Sequence, residues 1–404
     1  MQLQTAAIHA AAGGLAERLT AHRRTIHRRP ELGFAELATA AYIESVLDDL
    51  SVAHRRVVGT GVVAVLRGQA TRCVGVRADM DALPVPEAPG RDGYRSEFEG
   101  VSHACGHDGH VAVLLGLAEL LASVDDLPLT VALYFQPAEE GPGGGQPMVA
   151  AGVLDDPRPE AVLALHVASA HPSGTVAIRT GPSSGSNDTV TITVHGVGGH
   201  AAHPDTAVDP VPVAAQLITA VGQLVTREVD PVQPVVVTFG SIHGGHRDNV
   251  IASSVTLSGT IRALHQHNRE LLNRRIPELA HGIAAAHRAT VTVDLECGYP
   301  VGVNDPALTE VVAGAAAAVL GADRVVRVPE PSLGSEDFYA FGETGLPVTM
   351  FQLGVADPAR GITAPHHSPA FDLDEAALPA GVAVFAETIR RLAAAGSAPA
   401  GPLT

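Results

Sequence analysis

The chain's 404 residues exceed the length at which one hydrophobic core keeps growing, so two domains are the first expectation. Its 26 Lys and Arg against 43 Asp and Glu give a formal net charge of -17, which repels nucleic acid and anionic membrane surfaces and leaves small molecules as the expected partners. Three widely separated cysteines (Cys73, Cys105, Cys297) argue against a disulfide framework and for a reducing cytoplasm. The opening stretch from Met1 to Arg24 lacks the form of a signal peptide, and no apolar run spans a bilayer.

Helix and strand patterns alternate from the start to about residue 181, which predicts a sheet with helices packed on its faces. Amphipathic helices are expected over 15–27 and 34–49. Short β-rich runs follow at 62–66, 73–77, 129–135 and 161–165 and read as buried strands. The last three run into Asp79 and Asp81, then Glu139 and Glu140, then His166. In an open α/β sheet, ligands gather outside the carboxyl ends of strands, so one shared site is the economical expectation.

The character changes at about residue 183, where 182–186 reads as a hinge-like linker. Beyond it a strand (189–194), a helix (209–226), two strands (235–242 and 254–263), a helix (268–288) and a strand (290–295) are expected. That order is β-α-β-β-α-β, complete in about 110 residues and able to fold as an insert. From Gly298 the alternation resumes, with a helix near 306–320, a strand at 347–353 and a helix near 374–395. The tail from Ala393 to Thr404 has the composition of a disordered segment.

The densest chemistry is His103-Ala104-Cys105-Gly106-His107-Asp108-Gly109-His110. Thiolate and imidazole hold zinc, cobalt, nickel or manganese in competition with water, so the segment is either a metal site or a nucleophile with its bases. Cys105 and His107 flank a glycine, and both side chains can turn to one point while the backbone bends. Spacing does not exclude His103 and His110, whose alternative is to cap or hydrogen-bond the following helix. A Cys105 nucleophile leaves Glu139 and Glu140 unexplained. Those two are adjacent, so at an extended strand end they would point to opposite sides, which suits two different jobs. His166, read alone, has the commoner fate of a satisfied histidine on a sheet edge.

Several segments together resemble the M20 family of metallopeptidases and amidohydrolases, in particular the subgroup of hippurate hydrolases, N-acyl-amino-acid amidohydrolases and indole-acetyl-amino-acid hydrolases. The resemblance rests on residues 27–33, 77–84, the Cys105 cluster and Gln136 to Gly141. It continues in Leu165-His166-Val167, residues 198–204, 248–251, 259–262 and 334–338, and His367-Ser368-Pro369. Ala252 departs from the common pattern, which has proline there.

The resemblance implies an α/β catalytic domain over 1–182 and 298–404, with a mostly parallel or mixed central sheet. Residues 183–297 would be an inserted ferredoxin-like lid and dimerisation domain. Two divalent ions (Zn, Mn, Co or Ni) would be held by Cys105, His107, Glu140, His166 and His367, the thiolate bridging, with His366 an alternative register for the last ligand. Asp79 and Asp81 would hold ligand imidazoles in the correct tautomer. Glu139 would be the general base and His200 would steady the oxyanion, in its own or a partner subunit. Asn249 and Arg262 would grip a substrate carboxylate. The implied reaction is hydrolysis of the amide of an N-acyl amino acid by metal-activated water, in a homodimer or higher homo-oligomer. Alternatives are an M20-type carboxypeptidase or dipeptidase, a hydrolase with Cys105 as nucleophile, and a non-catalytic metal-binding protein.

Overall fold

The computed structural model describes residues 4–91 and 93–396. Within it the chain forms two compact units. Among these residues the first comprises those up to 181, 303–329 and those from 337 onward, and the second 182–302 with 330–336. Residues 397–404, most of the segment expected to be disordered, lie outside the described residues.

The first unit opens with helices α1 (Thr5–Gly14), α2 (Ala16–His27) and α3 (Leu37–Asp49). Strands β1 (Ala53–Val57), β2 (Gly61–Leu66) and β3 (Ala70–Asp79) follow, then α4 (His107–Ala122), β4 (Leu129–Gln136), α5 (Gly145–Ala150), β5 (Val162–Pro172) and β6 (Val176–Ile178). The second unit adds β7 (Asn187–His195), α6 (Pro210–Glu228), β8 (Val235–Gly244), β9 (Ser254–Ala263), α7 (Gln266–Ala286) and β10 (Thr290–Tyr299). Back in the first unit come α8 (Pro306–Leu320), β11 (Val325–Arg327), β12 (Val348–Ala356) and α9 (Leu378–Ala394). The segment read as a linker instead begins with a short strand, Gly181–Ser184.

The large sheet has the order β1-β2-β4-β3-β5-β12-β6-β11 and is mixed. Its centre, β4-β3-β5-β12, is parallel, and β1 and β2 are antiparallel. Both faces are covered, which is why its central strands are continuous apolar runs. Val62, Ala64, Val131 and Leu133 enter one core beneath α4 and α9, while Val63, Ala132 and Tyr134 enter a second with Met148 and Phe341. Helix α4 is buried from His107 to Leu121 and occupies the middle of the larger core. Two elements carry weak sequence signals. Helix α1 has little amphipathic pattern, and β1 is an edge strand with the charged run His54-Arg55-Arg56, the usual composition of a protected edge.

In the second unit the sheet order is β8-β9-β7-β10, entirely antiparallel, with α6 and α7 on one face. This is the split β-α-β arrangement, completed by a helix whose start is well specified. Asp209 caps α6 through the Val211 amide, Pro210 occupies the first turn, and Val213, Leu217, Val221 and Leu224 form the inward stripe.

Candidate metal centre

The parallel strands deliver the site. β3 ends at Asp79, β4 at Gln136, and β5 pairs with β3 only as far as Ala164 opposite Arg77. His166 is therefore not at a strand end, as its apolar run suggested. β5 continues to Pro172, and His166 lies two residues beyond Ala164, the last β5 residue paired with β3.

Gly106 sets the relation of Cys105 to His107. Its φ is +86°, and a Cβ there would lie 2.4 Å from Val167 Cγ2, so the bend and the close approach both require glycine. His107 then starts α4. Its Nδ1 is 3.1 Å from Asp81 Oδ1, so the ring donates there and Nε2 is left as the acceptor. That Nε2 is fully buried and has no hydrogen-bond partner. His166 is oriented in the same way, its Nδ1 donating to the Val167 carbonyl at 2.7 Å and its Nε2 facing Cys105 Sγ at 3.6 Å.

His367 has a left-handed backbone, φ +63°, and its amide donates to the Ala104 carbonyl. Its Nε2 is 3.0 Å from Glu140 Oε1, and that oxygen is 3.8 Å from His107 Nε2. His366 turns elsewhere, to the Val167 carbonyl and the Phe371 ring. Ligating atoms of Cys105, His107 and His166 lie within 4.8 Å of one another, as do those of Cys105, Glu140 and His367, and of His107, Glu139 and Glu140. Glu139 and Glu140 thus face the same cluster. The expectation that they splay apart fails because Ala138, at φ +58°, breaks the strand alternation just before them.

His103 and His110 do not cap α4. The helix has no side-chain cap, and His110 bridges Asp79 (Nδ1 to Oδ1, 2.5 Å) and the Val167 amide (2.8 Å). Neither ring nitrogen of His103, which is buried, has a partner. Asp79 is itself held by Arg77, a fully buried cation inside β3. Arg77 Nη1 is 2.7 Å from Asp79 Oδ2, Nη2 is 2.8 Å from Asp337 Oδ1, and Nε is 2.9 Å from Gln136 Oε1. Asp337 also accepts the Gly144 and Gly145 amides. The sequence carried one signal for this network, a charged residue inside an apolar strand run, since a buried charge requires partners.

Burial pushes the Cys105 thiol well above its usual range, although His107 pulls the other way. Burial also pushes His166 down and brings His110 to about 4, which keeps these rings neutral. For Asp79, burial works upward but is outweighed by Arg77 first, then His107 and His110, and the carboxyl sits well below its usual range. Glu140, despite burial, is drawn to about 2 by His367 and His107.

These residues fit a divalent cation. Ligands about 2.0–2.3 Å from one ion stand roughly 3–4 Å apart, which matches the separations here. A cation would also satisfy the orphaned His107 Nε2, favour the neutral imidazoles as ligands and reverse the penalty on the Cys105 thiolate.

The remaining candidates lie in the second unit. His200 is exposed on a two-residue strand paired to Val250–Ile251, and its Nδ1 accepts from the Ala202 amide at 3.1 Å. It lines, with Asn249 and His243, a cavity of about 730 Å³. Arg262 is not among that cavity's lining residues. It lies on β9, with Nη1 donating to the Leu333 carbonyl at 3.0 Å.

The fold and the cluster define an α/β protein with a site suited to divalent metal at the ends of its parallel strands. Residues 75–391 match the family described as Peptidase family M20/M25/M40, and the chain belongs to it. It is 38% identical over 371 residues to thermostable carboxypeptidase 2 of Saccharolobus solfataricus, covering 90% of this chain and 92% of that protein. It is 37% identical to IAA-amino acid hydrolase ILR1-like 4 of Arabidopsis thaliana (91% and 84% covered) and 38% identical to N-acetyldiaminopimelate deacetylase of a Geobacillus strain (83% and 89%). Among solved structures it resembles the YXEP protein of Bacillus subtilis, a dinuclear metal binding peptidase of the M20 family. The TM-score is 0.81 at 31% identity, with 94% of this chain and 98% of that one covered. Among the described residues no helix is long and apolar enough to cross a membrane.

Proposed function

We propose that this chain hydrolyses the amide bond of N-acyl amino acids, releasing a carboxylic acid and a free amino acid. The first unit is the metal-binding catalytic domain, and the inserted unit is its lid and dimerisation domain. Cys105, His107, Glu140, His166 and His367 would hold two divalent ions. When bound, such ions polarise the scissile carbonyl and bring water to the pKa of a usable nucleophile.

The observation that carries the reading is the grouping of Glu139 with His107 and Glu140, one carboxylate more than the ligand set needs. Glu139 is the base that takes the proton from attacking water and delivers it to the leaving amine. Asp81 fixes His107 in the tautomer that presents Nε2 inward, while Asp79 holds His110, whose Nε2 accepts the Val167 amide instead of facing the cluster. His200 is assigned to the developing oxyanion, and Asn249 and Arg262 to the substrate carboxylate. Support for the substrate class comes from the relatives that act on IAA-amino acids and N-acetyldiaminopimelate. A homodimer paired through the insert and a cytoplasmic setting complete the proposal, the latter consistent with three free cysteines.

The test is a Glu139→Gln variant assayed on a panel of N-acyl amino acids varied separately in acyl group and amino acid. Metal content should stay intact while turnover falls about 10²- to 10⁴-fold, and unchanged turnover would sink the role given to Glu139. The likeness to carboxypeptidases favours a second reading, which parallel rates on benzoyl-glycine and a dipeptide decide.

A further inference from the structure

We propose that Glu36 is a positioning residue for Glu139. Its carboxylate grips the Ala138 amide, so that the chain leaves β4 in the one backbone conformation that turns Glu139 into the cluster. The proposal rests on Glu139 being the base.

Glu36 stands just before α3, carries a carboxylate, and is fully buried. A buried carboxylate is costly unless its oxygens are satisfied, and here both are. One accepts the Ala138 amide at 2.8 Å, and the other accepts the Thr60 hydroxyl at 2.6 Å. Ala138 is the residue the site depends on, because its left-handed φ of +58° ends the strand alternation and sends Glu139 and Glu140 the same way. Alanine rarely adopts that conformation unaided, and the surroundings must over-determine it.

Three further contacts do so. Gly33 leaves the space, since a Cβ there would stand 2.9 Å from both Cα and Cβ of Ala138. The Gly143 amide donates to the Ala138 carbonyl at 3.0 Å. Asp81 Oδ2 accepts the Glu140 amide at 2.9 Å while its other oxygen holds His107. The two peptide N–H groups flanking Glu139 are therefore held by two buried carboxylates from distant segments. Asp81 ties the turn to the ligands. Glu36, whose hydrogen bonds go to Thr60 and Ala138, ties it to the scaffold.

The test compares Glu36→Ala and Glu36→Gln on the fastest substrate of the panel, with three other readouts: metal content, the absorption spectrum of the cobalt-loaded enzyme, and hydrogen exchange of the Ala138 amide in metal-free protein. Glu36→Ala should lower kcat about 100-fold, the cost of a misplaced catalytic group, with KM within about threefold and metal content and cobalt spectrum unchanged. The Ala138 amide should exchange at least about 10-fold faster, as expected of a lost local hydrogen bond. Glu36→Gln keeps an acceptor for that amide and should stay within about 10-fold of wild type in kcat. Should Glu36→Ala fail to fold, Thr60→Val, which removes the carboxylate's other partner, should lower kcat about 10-fold with the same unchanged spectrum.

A folded Glu36→Ala enzyme with wild-type kcat, or with a still-protected Ala138 amide, overturns the proposal. So does loss of metal, because the effect would then run through the ligands. Full turnover in Glu139→Gln would instead overturn the reading of Glu139, which separates the two failures.

Discussion

Replacing Arg77 by methionine tests whether the buried network behind the site is structural. The guanidinium is fully buried and meets Asp79, Asp337 and Gln136 at 2.7, 2.8 and 2.9 Å. Methionine nearly conserves the volume, so the cavity penalty is small, but it strands two carboxylates in a dry interior. Breaking a buried ion pair from one side costs about 3–5 kcal/mol. At about 2–4 °C per kcal/mol for a domain of this size, Tm of the metal-free protein should fall by roughly 6 to 20 °C. Arg77→Lys should recover little, since one ammonium cannot reproduce a planar fork that reaches three acceptors. Adding Asp337→Asn to Arg77→Met should cost less than the sum of the two single changes, because it removes one of the stranded charges. Scanning calorimetry and urea unfolding measure all of these. Arg77→Met within about 1 kcal/mol of wild type would refute the claim that the pairing, and not packing alone, holds this end of β3.

Gly106→Ala must place a methyl group 2.4 Å from Val167 Cγ2 at a left-handed φ, so about 2–4 kcal/mol of stability and much of the metal affinity should be lost, read by calorimetry and metal titration. Asp305→Ala removes the α8 cap, in which the carboxylate accepts the Leu308 amide at 2.7 Å, and should cost about 1 kcal/mol in urea unfolding without touching activity. The buried pair His27–Glu87 predicts a pH window. Burial acts against both charges. Asp108 and Glu87 nevertheless raise His27 above 6.5, and His27, Ser96 and Arg91 draw Glu87 from 4.5 to about 2. The Glu87 contribution is present above about pH 4.5 and lost as pH falls toward 2. The His27 contribution is present below 6.5 and lost as pH rises through its raised value, so His27→Gln should flatten that alkaline limb in urea midpoints of metal-free protein. Exhaustive chelation should abolish turnover and lower Tm, and activity that survived it would revive a Cys105 nucleophile.

The elements that the sequence determined are those whose signals are local. Apolar patterning marked α6, α8 and the central strands, and the β-α-β-β-α-β order of the second unit was legible because each element buries one patterned face. Residue types alone pointed to a metal site or a nucleophile with its bases within residues 103–110. The strand order alone decides which distant segments meet, and β4-β3-β5 places Asp79, the Glu139–Glu140 turn and His166 side by side. His367 and not His366 reaches Glu140 because of a left-handed backbone that no pattern announces, and the same holds for Ala138 and the direction of Glu139. Arg77, Asp337 and Glu36 matter through partners up to 260 residues away in the chain. A one-dimensional pattern reports what a residue is and which face it occupies. Which charge satisfies which is settled when the sheet closes and every buried polar group must find a partner.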